Sequence, residues 1–161
     1  MTIMRVSLVG ASLDAERKQQ LASRLIAAFA RVEVGQDSPA AHAGFLVHFE
    51  EVAPEDLYMG AQRMADAGGS GRAAVVTTQV MAGPWTDAMK AQLFGDLESV
   101  IREEVDMPRS GSGADFWMTI TEVPEGAWGY GGKPVSIASL APVFSEDRQA
   151  RIHRYLEDRS E

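Results

Sequence analysis

The sequence predicts an α+β fold in which two tandem strand–helix–strand units share one four-stranded sheet, with both helices on one face. Three observations predict it. The hydrophobic period switches from two to about 3.6 and back, and does so twice. Residues recur at a nearly constant offset: Lys18 and Leu21 match Lys90 and Leu93, 72 apart, while Glu51-Val52 and Gly60 match Glu122-Val123 and Gly131, 71 apart. The chain has 161 residues, 45% of them hydrophobic, which suits one compact domain or two small fused units.

"MTIMRVSLVG" alternates, with Met4, Val6 and Leu8 on one face, and reads as a strand. In "ASLDAERKQQLASRLIAAFARV" the apolar positions Leu21, Leu25, Phe29 and Val32 form one helical stripe. Ser12 is the expected N-cap, and Asp14 and Glu16 suit the positive start of the helix. The polar stretch "EVGQDSPAAHAG" is followed by a second strand, "FLVHFEEV", with Phe45, Val47 and Phe49 on one face. "GAQRMADAGGSGR" is glycine-rich and reads as a linker. The pattern then repeats: strand "AAVVTTQVMAG", a helix capped by Thr86 with a Met89–Leu93–Leu97–Ile101 stripe, and strand "ADFWMTITEV". "FSEDRQARIHRYLEDRSE" reads as a terminal helix capped by Ser145. The expected boundaries are 1–62 for the first unit, 63–73 for the linker, 74–142 for the second unit and 143–161 for a helical tail.

Composition narrows the function classes. A net charge of -8 repels a phosphate backbone, so no nucleic-acid partner is expected. The chain has no cysteine, which removes zinc–thiolate sites and thiol nucleophiles and fits a reducing cytoplasm. The three histidines, His42, His48 and His153, show no metal-ligand spacing, and neither a metal nor a cofactor is expected. No apolar run approaches the roughly 20 residues that span a bilayer, and the opening residues lack the pattern of a signal peptide. A soluble, cytoplasmic protein without membrane partners is the expectation.

"TITEVPEGAWGYGGKP" places Trp128 and Tyr130 among four glycines within seven residues, Gly126, Gly129, Gly131 and Gly132. Glycines at that density let a ribbon turn tightly and press against another backbone. This segment, with the preceding strand and "KAQL" in the helix, resembles the 4-oxalocrotonate tautomerase family. "SLDAERKQQLASRLI" and "FLVHFEEVAPEDLYMGAQ" resemble the opening half of the cis-3-chloroacrylic acid dehalogenase family, a fused branch of the same superfamily. The matches cover residues 2–135. The resemblance implies the tautomerase fold, a homotrimer of fused chains, and a hairpin whose aromatic, here Trp128, walls a pocket built across subunits. A ferredoxin-like monomer also has two strand–helix–strand units, but it has no use for such a hairpin.

The resemblance also implies departures. The superfamily's N-terminal proline amine, its proton-transfer group, falls on Thr2, and on Ala74 in the second unit. The dehalogenase's two carboxylate-holding arginines fall on Met81 and Pro84, its tyrosine on Thr119 and its glutamate on Tyr130. The tautomerase arginine falls on Trp117, and on Leu46 in the first unit. Methionine, proline and tryptophan cannot supply a bidentate guanidinium fork, so apolar small molecules are expected in place of dianions. The candidate catalytic residue is Thr2, whose α-amine becomes a general base if Met1 is removed. The candidate substrate-binding residues are Trp117, Trp128, Tyr130, Met81 and Arg72, the last as a replacement anion holder. Two readings follow: keto–enol tautomerisation of a small carbonyl substrate, or non-catalytic binding of a small molecule or partner.

Overall fold

Alternation along the first strand sets the inner and outer faces of the whole sheet. The computed structural model describes residues 1–66, 70–109 and 115–159. In β1 (Thr2–Val9), Thr2, Met4, Val6 and Leu8 are buried while Ile3 and Arg5 face outward. Helix α1 (Ala15–Glu33) buries Leu21, Leu25, Phe29, Val32 and Glu33. Its N-cap is Asp14, whose Oδ1 accepts the Arg17 N–H at 2.8 Å. Ser12, the residue expected to cap it, instead donates its hydroxyl to Glu51 at 2.8 Å. The polar stretch after α1 holds a short turn, α2 (Pro39–His42), started by the Ser38 side chain and Pro39.

Strand β2 (Phe45–Val52) pairs in parallel with β1. A tight hairpin follows, β3 (Tyr58–Met59) and β4 (Gln62–Arg63), turning at Gly60 with φ 60°. Part of the segment expected as linker has regular structure: Arg63 belongs to the hairpin, and Met64–Asp66 forms a 3-10 turn that buries Met64. Residues 67–69 of that linker lie outside the described residues. The second unit repeats the first, with β5 (Ala73–Met81), α3 (Asp87–Glu104) and β6 (Phe116–Val123). Thr86 caps α3 as expected, its hydroxyl oxygen accepting from the Met89 N–H at 3.3 Å. The glycine-rich ribbon is the matching hairpin, β7 (Gly129–Tyr130) and β8 (Lys133–Pro134), turning at Gly131 with φ 59°.

The sheet order is β2-β1-β5-β6, parallel within each unit and antiparallel where β1 meets β5. Helices α1 and α3 pack side by side on one face, bringing Leu21, Leu25, Leu93, Leu97 and Ile101 onto Met4, Val6, Leu8, Val76 and Val80 of the sheet. The two units are internally alike down to single contacts. Lys18 reaches Glu51 at 2.7 Å, and its counterpart Lys90 reaches Glu122 at 2.7 Å. The Glu51 carboxyl is held down to about 2 by the Lys18 ammonium, the Ser12 hydroxyl and the Leu13 N–H. Ahead of β6, Arg102 grips Asp115 through both terminal nitrogens at 2.9 and 2.7 Å, with each residue 6% exposed. The opposite face of the sheet carries exposed apolar side chains, Ile3, Leu46 and Trp117.

The tail is α4 (Ile137–Leu140), a 3-10 turn at Ala141–Val143, and α5 (Glu146–Glu157). It closes the end of the sheet where β1 starts and β5 and β6 finish, burying Ile137, Ala141, Phe144 and Ile152 with Met81 and Trp128. Its anchor is the end of α1, whose last carbonyls have no partner within the helix. The Ser145 N–H donates to the Val34 carbonyl at 2.8 Å and Arg148 Nε to the Val32 carbonyl at 3.2 Å. Ser145 occupies the N-cap position of α5, although its side chain makes no capping bond. Gly35 turns the chain out of α1 at φ 81°, and a Cβ there would stand 2.2 Å from Ser145 Oγ.

Candidate active site

Thr2 opens β1 and is 1% exposed. Its N–H donates to the Gly44 carbonyl at 2.9 Å, which fixes the first residue beside the start of β2. Its side chain points to the helix face, where the hydroxyl donates to Glu33 Oε2 at 2.7 Å. Glu33 ends α1 and is also 1% exposed. Its other oxygen, Oε1, has no hydrogen-bond partner among the described residues. Burial pushes the Glu33 carboxyl up to about 7; attraction to the N-terminal ammonium and the Thr2 hydroxyl offset part of that rise.

Glu33 lines a half-open cavity of about 330 Å³. The chain N-terminus contributes Met1; α2 and the residues after it contribute Ala40, Ala41 and Gly44; the tail contributes Leu140 and Phe144; Tyr130 stands at the rim. Phe45 forms part of the floor and packs edge-on against Phe29 with ring centroids 5.5 Å apart. No lysine, arginine or histidine lines the cavity among the described residues. It is an apolar chamber with one carboxyl group, one phenol and the chain's first residue.

The residues singled out from sequence do not all gather here. Thr2 and Tyr130 do, one at the wall through Glu33 and one at the rim. Met81 and Trp128 are buried together beneath the tail and do not line the cavity. Trp128 is 6% exposed because its own chain covers it, where a subunit contact had been expected. Trp117 stands on the outer sheet face, 55% exposed. Arg72 lies at the far end of the sheet: β1 pairs with β5 so that Thr2 meets Val80 and Val9 meets Ala73. Arg72 lies eight residues of strand from Val80, roughly 26 Å away. Its guanidinium donates to the Val105 and Asp106 carbonyls at 2.6 and 2.8 Å, satisfying the C-terminal end of α3.

Glu33 was missed in the sequence, yet a signal for it was present. Leu21, Leu25 and Phe29 are spaced by four, and the next step of four is residue 33. The apolar stripe ends at Val32, and Glu33, being charged, reads as the start of the polar stretch that follows.

Two strand–helix–strand units, each followed by a glycine hairpin, thus join through β1 and β5 into one sheet with a cavity at the N-terminal end. No protein-family model matches the sequence, and no curated protein matches it. Solved structures do. A native fused 4-OT aligns with TM-score 0.64 at 22% identity, covering 82% of this chain and 94% of its own. A wild-type fused 4-OT asymmetric trimer aligns at 0.63 with 21% identity, covering 86% and 98%. N1, a member of the cis-3-chloroacrylic acid dehalogenase family, aligns at 0.66 with 15% identity, covering 94% and 99%. The likeness establishes for this chain the fold that these solved structures share.

Proposed function

We propose that the protein is a tautomerase-like isomerase that moves a proton between carbon and oxygen of a small keto–enol substrate, using the α-amine of Thr2. The observation that carries this reading is the position of Thr2. Its nitrogen donates to the Gly44 carbonyl, and Gly44 and the preceding Met1 both line the apolar cavity. Removing Met1, which lines the cavity, would convert that nitrogen from an amide to an amine and open more room beside it. An amine in an apolar, partly closed chamber is a competent general base for an acidic C–H. A homotrimer is part of the proposal, supported by the exposed Ile3, Leu46 and Trp117 on the uncovered sheet face and by the trimeric state of a similar solved structure. The absence of cysteine supports a cytoplasmic setting.

A second reading, a non-catalytic binding protein of the same fold, is favoured by Met1 itself. While Met1 is retained, Thr2 nitrogen is an amide donor and cannot act as a base. Intact mass gives the state of the terminus, and ketonisation of an enol such as phenylenolpyruvate gives the activity. Thr2→Pro should keep or raise turnover, and Thr2→Lys, which blocks methionine removal, should abolish it. Full turnover of Thr2→Lys with Met1 present refutes the amine. Inactivity of every variant, Thr2→Pro included, leaves the binding reading.

A further inference from the structure

We propose that Glu33 is the ligand-recognising acid of this cavity, its Oε1 hydrogen-bonded to the carbonyl oxygen of an uncharged, mainly apolar aldehyde or ketone. Three observations converge. Glu33 is 1% exposed and lines the chamber, so it is a buried polar group facing a space large enough for a small ligand. Its Oε2 is occupied as acceptor of the Thr2 hydroxyl, whereas Oε1 has no partner among the described residues. A protonated carboxyl has one O–H donor; with Oε2 accepting from Thr2, that proton belongs on Oε1 and lacks an acceptor. A ligand carbonyl supplies one, relieving the cost of an unsatisfied buried donor.

The walls decide the rest of the ligand. Phe45, Leu140 and Phe144 favour an apolar body, and the lining offers a carboxylate ligand no cationic side chain, only the N-terminal ammonium that already acts on Glu33. A cationic amine would meet the N-terminal ammonium, which already acts on Glu33. Burial also keeps the Glu33 carboxyl neutral up to about pH 7, which is the state that donates.

The binding claim stands without any reaction; the catalytic step rests on the Thr2 amine proposed above. In that step the amine takes a proton from the carbon next to the carbonyl, and Glu33 gives its Oε1 proton to the carbonyl oxygen. The products are enol, ammonium and carboxylate. The ammonium then returns its proton to Glu33, so both groups are restored and the substrate is only isomerised. Thr2 Oγ1 is 2.7 Å from Glu33 Oε2, and three bonds separate Oγ1 from the Thr2 nitrogen, so the two groups are close enough for that return.

The test is binding of 4-phenyl-2-butanone to the full chain by calorimetry at pH 5.5 and 8.5, with 3-phenylpropanoate and 4-phenylbutan-2-amine as charged analogues. The ketone should bind the wild type about 30-fold more weakly at pH 8.5, the ratio of neutral carboxyl at the two pH values for a group titrating at about 7. Both charged analogues should bind at least tenfold more weakly than the ketone at pH 5.5. Other charged or titrating groups face this region: the Met1 amine ahead of β1, Tyr130 from β7, Arg148 from α5, and the Asp37–His42 pair beside α2. Glu33→Gln separates them, since it keeps a donor and should bind the ketone equally at both pH values. Ketone affinity in the wild type that is the same at both pH values overturns the proposal, as does tighter binding of either charged analogue, or no ketone binding at all. Deuterium uptake at the ketone's α-carbons in heavy water, read by NMR, separates the two ideas. pH-dependent binding without uptake sinks the amine mechanism and leaves Glu33 standing. Uptake with pH-independent binding and an unaffected Glu33→Gln sinks Glu33 and leaves the amine.

Discussion

Replacing Glu33 by glutamine should make the protein more stable at pH 8 and change little at pH 5. The carboxyl rises from 4.5 in the unfolded chain to about 7 when folded. The folded state therefore binds the proton more tightly, so this group's contribution is fully present below about pH 4.5 and is lost as pH rises through about 7. At about 1.4 kcal/mol per pH unit, the shift corresponds to about 3 kcal/mol, and Glu33 is buried deeply enough that solvent screening does not reduce it. Glutamine keeps the hydrogen bond with Thr2 and removes the ionisation. Urea denaturation of both proteins at pH 5 and pH 8 reads the effect directly: with a slope of about 2 kcal/mol per molar, the variant's midpoint should exceed the wild type's by about 1.5 M at pH 8. The wild type alone should lose stability across that interval. An equal difference between variant and wild type at both pH values would show that the carboxyl is not buried as described.

Other expectations follow from the packing. Gly35→Ala should cost about 1–2 kcal/mol for the positive φ alone, with a further loss from the approach to Ser145, and limited proteolysis should release the tail first. Asp115→Ala removes the bidentate partner of Arg102, which is 6% exposed, and leaves it only Glu98 and the Pro108 carbonyl, so it should cost about 1.5–3 kcal/mol in chemical denaturation, whereas Arg102→Met with Asp115→Leu should cost less. Leu46→Asp with Trp117→Glu should shift the sedimentation of the proposed trimer towards monomer without changing the circular dichroism; unchanged sedimentation would mean that the outer sheet face is not the subunit contact.

The architecture was legible because its signals are periodic and local. Alternation marked Met4, Val6 and Leu8, spacing by four marked Leu21, Leu25 and Phe29, and the offset between Lys18 and Lys90 marked the repeat. Errors arose where a distant residue decided a local matter. Ser12 and Asp14 are both good caps, and what separates them is Glu51, which takes the Ser12 hydroxyl from 39 positions away. Trp128 was legible as a hairpin aromatic but not as one covered by its own tail, because α5 declares its amphipathic face without saying where that face docks. Arg72 carried no local sign that it would bind the carbonyls ending α3. Glu33 was hidden by its charge, since an acid next to a polar stretch is read as solvated unless helical spacing is followed through it.

The internal likeness of the two units has a numerical consequence. The ion pairs Lys18–Glu51 and Lys90–Glu122 show that the halves still superpose in chemistry. At the offset of 72 that relates their helices, Thr2 corresponds to Ala74 and Glu33 to Val105, both buried. The polar couple at one end of the sheet is thus an apolar couple at the other, and the amine that a chain terminus can offer at position 2 has no equivalent inside the polypeptide. The duplicated scaffold thus carries one Thr2–Glu33 pair, and the site proposed for it has no second copy. Ligand should therefore saturate at one equivalent per polypeptide, and the second unit is free to vary at Ala74 and Val105 under packing constraints alone.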